Sequence, residues 1–221
     1  MLLIAGANVD TNVVVKAYGY MLKLKQLYIS SYGKKGANIV VANSSFGQDF
    51  VMCDSGDYPI WNSMFDALGE VGVISVVATS NHNTNVDEMG DIPSTCSSDY
   101  LVTVTANMDR FDLYMNTGRG IKSVDLAAPG YYVYVAQSLG GYTTSSGTSF
   151  AAPHVSGAIA LMHSVASLRF LEQYQENPAK SSLILKQILF DTTTPVPSFK
   201  DKIVTGGKLD LFAALKTMAN Y

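Results

Sequence analysis

Apolar residues along the chain fall into two rhythms. Short β-branched runs at residues 2–5, 39–42, 73–78, 101–105 and, more weakly, 123–127 read as buried strands. Between the first two runs, Val13, Ala17, Tyr20, Met21, Leu24, Leu27 and Tyr28 recur every three or four positions. That spacing predicts an amphipathic helix over residues 12–33, closed by Gly33 and Gly36. A second helix is predicted over residues 61–68, opened by Pro59 and ended at Gly69, and the helical rhythm returns from Thr148 through Ser164, over 181–189 and over 209–218. Strands alternating with helices predict an α/β fold: a doubly wound, mostly parallel sheet with helices on both faces. No repeat, low-complexity tract or linker interrupts the pattern, so residues 1–221 read as a single domain.

In an open α/β sheet, ligands bind beyond the carboxyl ends of the strands. Three polar segments fall at such ends: Asn43-Ser44-Ser45-Phe46-Gly47, Ser80-Asn81-His82-Asn83 and Ser145-Ser146-Gly147-Thr148-Ser149. Composition narrows what they could bind. Of 221 residues 48% are hydrophobic and 15% charged, which suits a packed core rather than disorder. A net charge of -3, without any run of Lys or Arg, gives no electrostatic footprint for nucleic acid or an anionic membrane. The longest apolar stretches are about half the roughly 20 residues a membrane-spanning helix needs. Two cysteines, Cys53 and Cys96, are too few for a disulfide framework or a structural zinc site; one disulfide and two buried thiols both remain open.

Chemistry concentrates in Ser146-Gly147-Thr148-Ser149-Phe150-Ala151-Ala152-Pro153-His154-Val155-Ser156-Gly157. A serine at a helix amino terminus sits in a positive local field beside unpaired N–H groups, which favours an oxyanion forming next to it. This stretch resembles the nucleophile motif of the subtilisin-like serine peptidases, the subtilases, with Ser149 in the reactive serine's place. Val76-Val77-Ala78-Thr79-Ser80-Asn81 is similar to that family's strand and loop ending in the oxyanion-hole asparagine, and the resemblance gives Asn81 that role. Ser45-Phe46-Gly47 resembles the family's Ser-x-Gly strand end, which implies that Ser45, Phe46 and Gly47, with Thr79 and Ser80, line the substrate cleft. Asp125 to Gly130 and Gly140-Gly141-Tyr142 fit the same family, so the resemblance runs from about Leu2 to Ala214.

A serine nucleophile needs a base, itself oriented by a third group. The family supplies them from an Asp-Ser/Thr-Gly motif and a His-Gly-Thr motif, both ahead of the segment resembling residues 2–5. This sequence has no His-Gly-Thr; its histidines are His82, His154 and His163. His154 belongs to the serine motif, His163 reads as a satisfied helix histidine, and only His82 follows the cleft. Asp54-Ser55-Gly56 imitates the aspartate motif but falls after Ser45-Phe46-Gly47, so it reads as a decoy. The expectation is a subtilisin-like fold incomplete at its amino end and inactive alone. A separate amino-terminal chain, or self-association, would then fill the place of the missing strand beside residues 39–42. The alternative is a non-catalytic subtilase-like domain that binds or scaffolds peptides.

The resemblance further implies a peptide or protein substrate, allows calcium as a cofactor without assigning ligands, and implies a secreted or periplasmic location. Asp87, Asp91 and Asp99 read as solvated acidic surface. No signal peptide is legible at the amino end.

Overall fold

The computed structural model describes residues 10–53, 58–108 and 111–221. Helix α1 (Thr11–Ser30) opens on Asp10, whose carboxylate accepts from the Asn12 and Val13 amides and so pairs two of the N–H groups a helix start leaves free. Beyond its end the chain folds back at Gly36, where φ is +77° and a Cβ would lie 2.2 Å from the Leu24 carbonyl oxygen. Only glycine fits there.

The main sheet runs β1 (Val41–Ser44), β3 (Ile74–Ala78), β5 (Leu101–Asn107), β6 (Leu126–Pro129), β10 (Gly207–Lys208) and β9 (Thr194–Pro195), in that spatial order. All neighbours pair in parallel except β9 with β10. Two small antiparallel pairs stand apart: β2 (Gln48–Asp49) with β4 (Asp91–Ile92), and β7 (Val133–Ala136) with β8 (Tyr142–Ser145).

Helices cover both faces. On one, α1 and α2 (Pro59–Glu70) pack Val14, Tyr18, Trp61, Phe65 and Leu68 over Ala42, Val73 and Val77. On the other, α4 (Thr148–Val165), α5 (Leu168–Glu176), α6 (Pro178–Asp191) and α7 (Leu211–Ala219) cover Ile74, Val76, Val102, Val104 and Leu126. The short α3 (Val86–Met89) caps a third cluster with Val124 and Phe199. Central strands buried on both faces explain why β3 and β5 read as unbroken apolar runs.

The structure departs from the sequence reading at several elements. Strand β1 begins two residues after the start of the 39–42 run because its ladder pairs Val41 with Ile74 and Ser44 with Val77. Helix α2 passes through Gly69, whose missing side chain leaves room for the Tyr100 ring, and the turn comes at Gly72 with φ +88°. The periodicity did not reveal α5 or the β7–β8 hairpin. Cys53 and Cys96 form a disulfide, with Cα atoms 4.9 Å apart, which resolves the two alternatives left open by composition. Residues 2–5 and the Asp54-Ser55-Gly56 decoy lie outside the described residues.

β1 is the end strand, so among the described residues its outer edge is unpaired. Beside it runs a groove of about 810 Å³ between α1 and α4, walled by Tyr18, Met21, Leu24, Ile39, Val41 and Pro153.

Candidate active site

The carboxyl ends of β1 and β3 and the amino terminus of α4 meet at one corner of the sheet. There Ser45, Phe46, Gly47, Thr79, Ser80, Asn81, Thr148 and Ser149 line a side-chain-sized cavity of about 180 Å³. All seven residues assigned from the sequence to catalysis or substrate binding are thus brought together, and Asp49 and Asp91 join them.

Helix α4 starts on Gly147, whose φ of +149° is open to glycine and strained for other residues. Its N–H donates to the Gly130 carbonyl at 2.7 Å, and Gly130 has no room for a Cβ, which would lie 2.8 Å from the Gly147 oxygen. This close crossing fixes where the helix begins. Pro153 sits one turn in and has no N–H to offer the Ser149 carbonyl four residues back. The Ser45 hydroxyl donates to that carbonyl instead, at 2.9 Å. At this proline the Ser149 backbone is thus tied to the segment that follows β1.

Asn81 is held by its oxygen. Its Oδ1 accepts from the Thr148 backbone N–H at 2.9 Å, and the Thr148 hydroxyl lies 3.1 Å away. That hydroxyl donates to the Thr79 carbonyl at 2.5 Å. With Oδ1 engaged by Thr148, Asn81 keeps its Nδ2 hydrogens to donate, and its side chain is among those lining the cavity. A fixed amide donor beside a serine on a helix amino terminus is an arrangement that stabilises developing negative charge.

Among the described residues, the opposite flank of Ser149 holds no base. Its hydroxyl lies 3.5 Å from the Ser45 carbonyl, at the limit of a hydrogen bond. His82 stands 3.4 Å from the Asp49 carboxylate and against the Phe50 ring. His154 donates through Nδ1 to the Phe150 carbonyl at 2.8 Å, one turn back along the solvent side of α4. His163 packs edge-on against Tyr174, at 4.9 Å between ring centres, and its Nε2 is buried without a partner among the described residues. The expectation of a satisfied helix histidine is corrected there. Burial, with Lys25 nearby, holds its pKa below the usual histidine range.

Asp91 overturns a second expectation. It is 3% exposed instead of lying on solvated surface. Its Oδ2 accepts from the Ser94 hydroxyl at 2.5 Å and from the Thr79 hydroxyl at 3.2 Å. Burial pushes its pKa up to about 7, and the Asp49 charge adds to the rise, while the Ser94, Thr79 and Ser80 donors oppose it. Asp87 is also tied down, its carboxylate accepting from the Lys122 and Ser123 amides at 3.0 Å. Among the described residues no three His, Cys, Asp or Glu side chains group closely enough to hold a metal ion. No helix among them is long and apolar enough to cross a membrane.

Comparison with known proteins identifies the family and the fold. The model of the subtilase family matches residues 6–208. The chain is 29% identical over 174 residues to subtilisin-like protease 1 of Plasmodium berghei (strain Anka), an alignment covering 71% of this chain and 27% of that protein. It is 35% identical over 102 residues to an extracellular protease of Xanthomonas campestris pv. campestris, covering 43% of this chain and 17% of that one. The chain thus spans about a quarter or less of these relatives' length. Among solved structures it resembles the prenylagaramide maturation protease PagA, with a TM-score of 0.70 at 20% identity over 99% of this chain and 71% of that one. A lanthipeptide protease gives a TM-score of 0.71 at 23% identity, covering 97% and 68% respectively. At such identities these structures establish the fold.

Proposed function

The chain belongs to the subtilase family, and on that premise we propose that it carries the nucleophile side of a subtilisin-type serine endopeptidase, with Ser149 forming the acyl-enzyme and Asn81 holding the oxyanion. The observation that carries this reading is the Thr148 clamp on Asn81 Oδ1, which turns an amide donor toward the cavity beside Ser149. A domain that only bound peptides would have no need of such a donor. In the reaction the Ser149 hydroxyl adds to the peptide carbonyl carbon. The carbonyl oxygen, now negative, is held by Asn81 Nδ2 and by the Ser149 backbone N–H, since the Thr148 and Phe150 N–H groups at the start of α4 are already paired. Collapse expels the amine, and water then releases the acyl group.

Two proton transfers in that sequence need a base, and none of the chain's three histidines is in place to serve. We infer that the base and its orienting carboxylate come from a polypeptide segment outside residues 1–221. It would pair as a strand with the edge of β1 that is unpaired among the described residues, above the groove walled by Tyr18, Leu24 and Ile39. That groove shares Ser45 and Phe46 with the site cavity, so a strand laid there would end beside Ser149. Alone, the chain is inactive in this account. The competing reading, a non-catalytic peptide-binding domain, draws on the same missing base. The genomic sequence upstream of Met1 separates the two: an in-frame Asp-Ser/Thr-Gly followed by His-Gly-Thr supports the peptidase, and their absence supports the binding domain. An oxidising secreted or periplasmic location is consistent with the Cys53–Cys96 disulfide.

A further inference from the structure

Two carboxylates line the cavity beside Ser149, and among the described residues no lysine or arginine lines it with them. Asp91 and Asp49 face each other across the β2–β4 pair, where Asp49 and Asp91 are register partners. The ion pair found at this end among the described residues is the one between Asp49 and the largely exposed His82. Asp91 has nothing of the kind. It is oriented by Thr79 and Ser94, both neutral, and a buried carboxylate without a cation is costly unless a ligand supplies the charge.

The position of these acids relative to the reacting atoms decides what that ligand is. A peptide carbonyl held between the Ser149 hydroxyl and Asn81 Nδ2 places the side chain of its own residue against the cavity that Ser149 and Asn81 help to wall. Gly47 lets the chain beyond β1 pass close to β4, since a Cβ there would lie 2.1 Å from the Ile92 carbonyl oxygen. We propose that Asp91, seconded by Asp49, makes this cavity a pocket for a cationic side chain, so that the substrate residue contributing the scissile carbonyl is Arg or Lys. The proposal rests on the peptidase reading above and adds the substrate class to it. Asp91 is a specificity residue in it, since its carboxylate would meet the substrate's guanidinium or ammonium group in a charge-assisted hydrogen bond.

The test is a titration of the ¹⁵N-labelled chain with three peptides, acetyl-Ala-Ala-Ala-X-amide with X as Arg, its neutral analogue citrulline, or Phe. Binding is followed at the Asn81 side-chain amide and the Ser149 backbone. The expected result is at least tenfold tighter binding of the Arg peptide than of the citrulline peptide, with that preference lost in Asp91→Asn. Because Asp91→Asn could unfold the β4 turn, Asp49→Asn serves as the second variant; its site is more exposed, and it should reduce the preference severalfold without loss of the native spectrum. Equal affinity of the three peptides, with shifts at Asn81 and Ser149, overturns the cationic pocket and leaves the peptidase reading standing. Calcium chloride binding at Asp91 while the Arg peptide binds no tighter than the citrulline peptide also overturns it, in favour of a metal site. Failure of every peptide to perturb Asn81 or Ser149 overturns both readings together.

Discussion

The two flanks of Ser149 are built to different degrees. Toward Asn81 the structure is closed: Gly147, Thr148, Asn81, Thr79 and Gly130 are locked by hydrogen bonds at 2.5–3.1 Å and by glycines with no room for a side chain. Toward β1 it is open. A sheet edge stands unpaired among the described residues, a groove runs alongside, and the serine hydroxyl has only a marginal contact with the Ser45 carbonyl. In the peptidase proposed above, the closed flank would stabilise the charge that the reaction creates, and the open flank is where the nucleophile would be activated. A site with the first and without the second should bind a carbonyl and fail to cleave it.

Supplying the open flank should give the largest effect. Co-expression with an upstream segment carrying the Asp and His motifs should raise peptide hydrolysis by three orders of magnitude or more, since a serine without its base retains only a small residue of catalysis. Comparing initial rates of the assembled protein with its Ser149→Ala variant checks this. Damaging the closed flank should cost less. In the assembled enzyme, Asn81→Ala should lower kcat by about 100- to 1000-fold with little change in KM, as expected for a donor that acts on the oxyanion alone.

The remaining predictions concern the scaffold that carries the site. Opening the Cys53–Cys96 disulfide, by Cys53→Ala with Cys96→Ala, should reduce stability by about 2–4 kcal/mol in denaturant unfolding, because the bond spans 43 residues. The smallest effect should be a dependence on pH. Asp91, at about 7, and Asp125, at about 6, both titrate above the ordinary carboxylate value, so the fold favours their protonated forms. Burial is the leading cause in each; Lys186 and the Thr103 N–H partly oppose it at Asp125. Their contribution is most favourable below about pH 4 and is lost as pH rises through 6 and 7. Thermal unfolding should show that decline, about 1–3 kcal/mol after relaxation around the carboxyl groups, and it should be shallower in Asp91→Asn.

Much of this was legible because it is written locally. The spacing of Val13, Ala17, Tyr20 and Leu24 locates α1, and a dozen contiguous residues around Ser149 carry the nucleophile. Helix α5 was missed because its apolar residues, Leu168, Phe170, Leu171 and Tyr174, span little more than two turns among charged neighbours. In the β7–β8 hairpin, Tyr134 stacks on Tyr142 on an exposed face, so no buried alternation marks the strands. Asp49 and Asp91 were missed for a different reason. They come from two-residue strands 42 positions apart, and only the folded chain shows that the two acids are partners; from the sequence, Asp91 looked solvated.

The most direct measurement is the rate of peptide hydrolysis by the purified 221-residue chain, beside its Ser149→Ala variant, under conditions where both show native spectra. The account predicts that the two rates are indistinguishable. Clear turnover by the chain alone, abolished in Ser149→Ala, would show that a base is already in place and would contradict it.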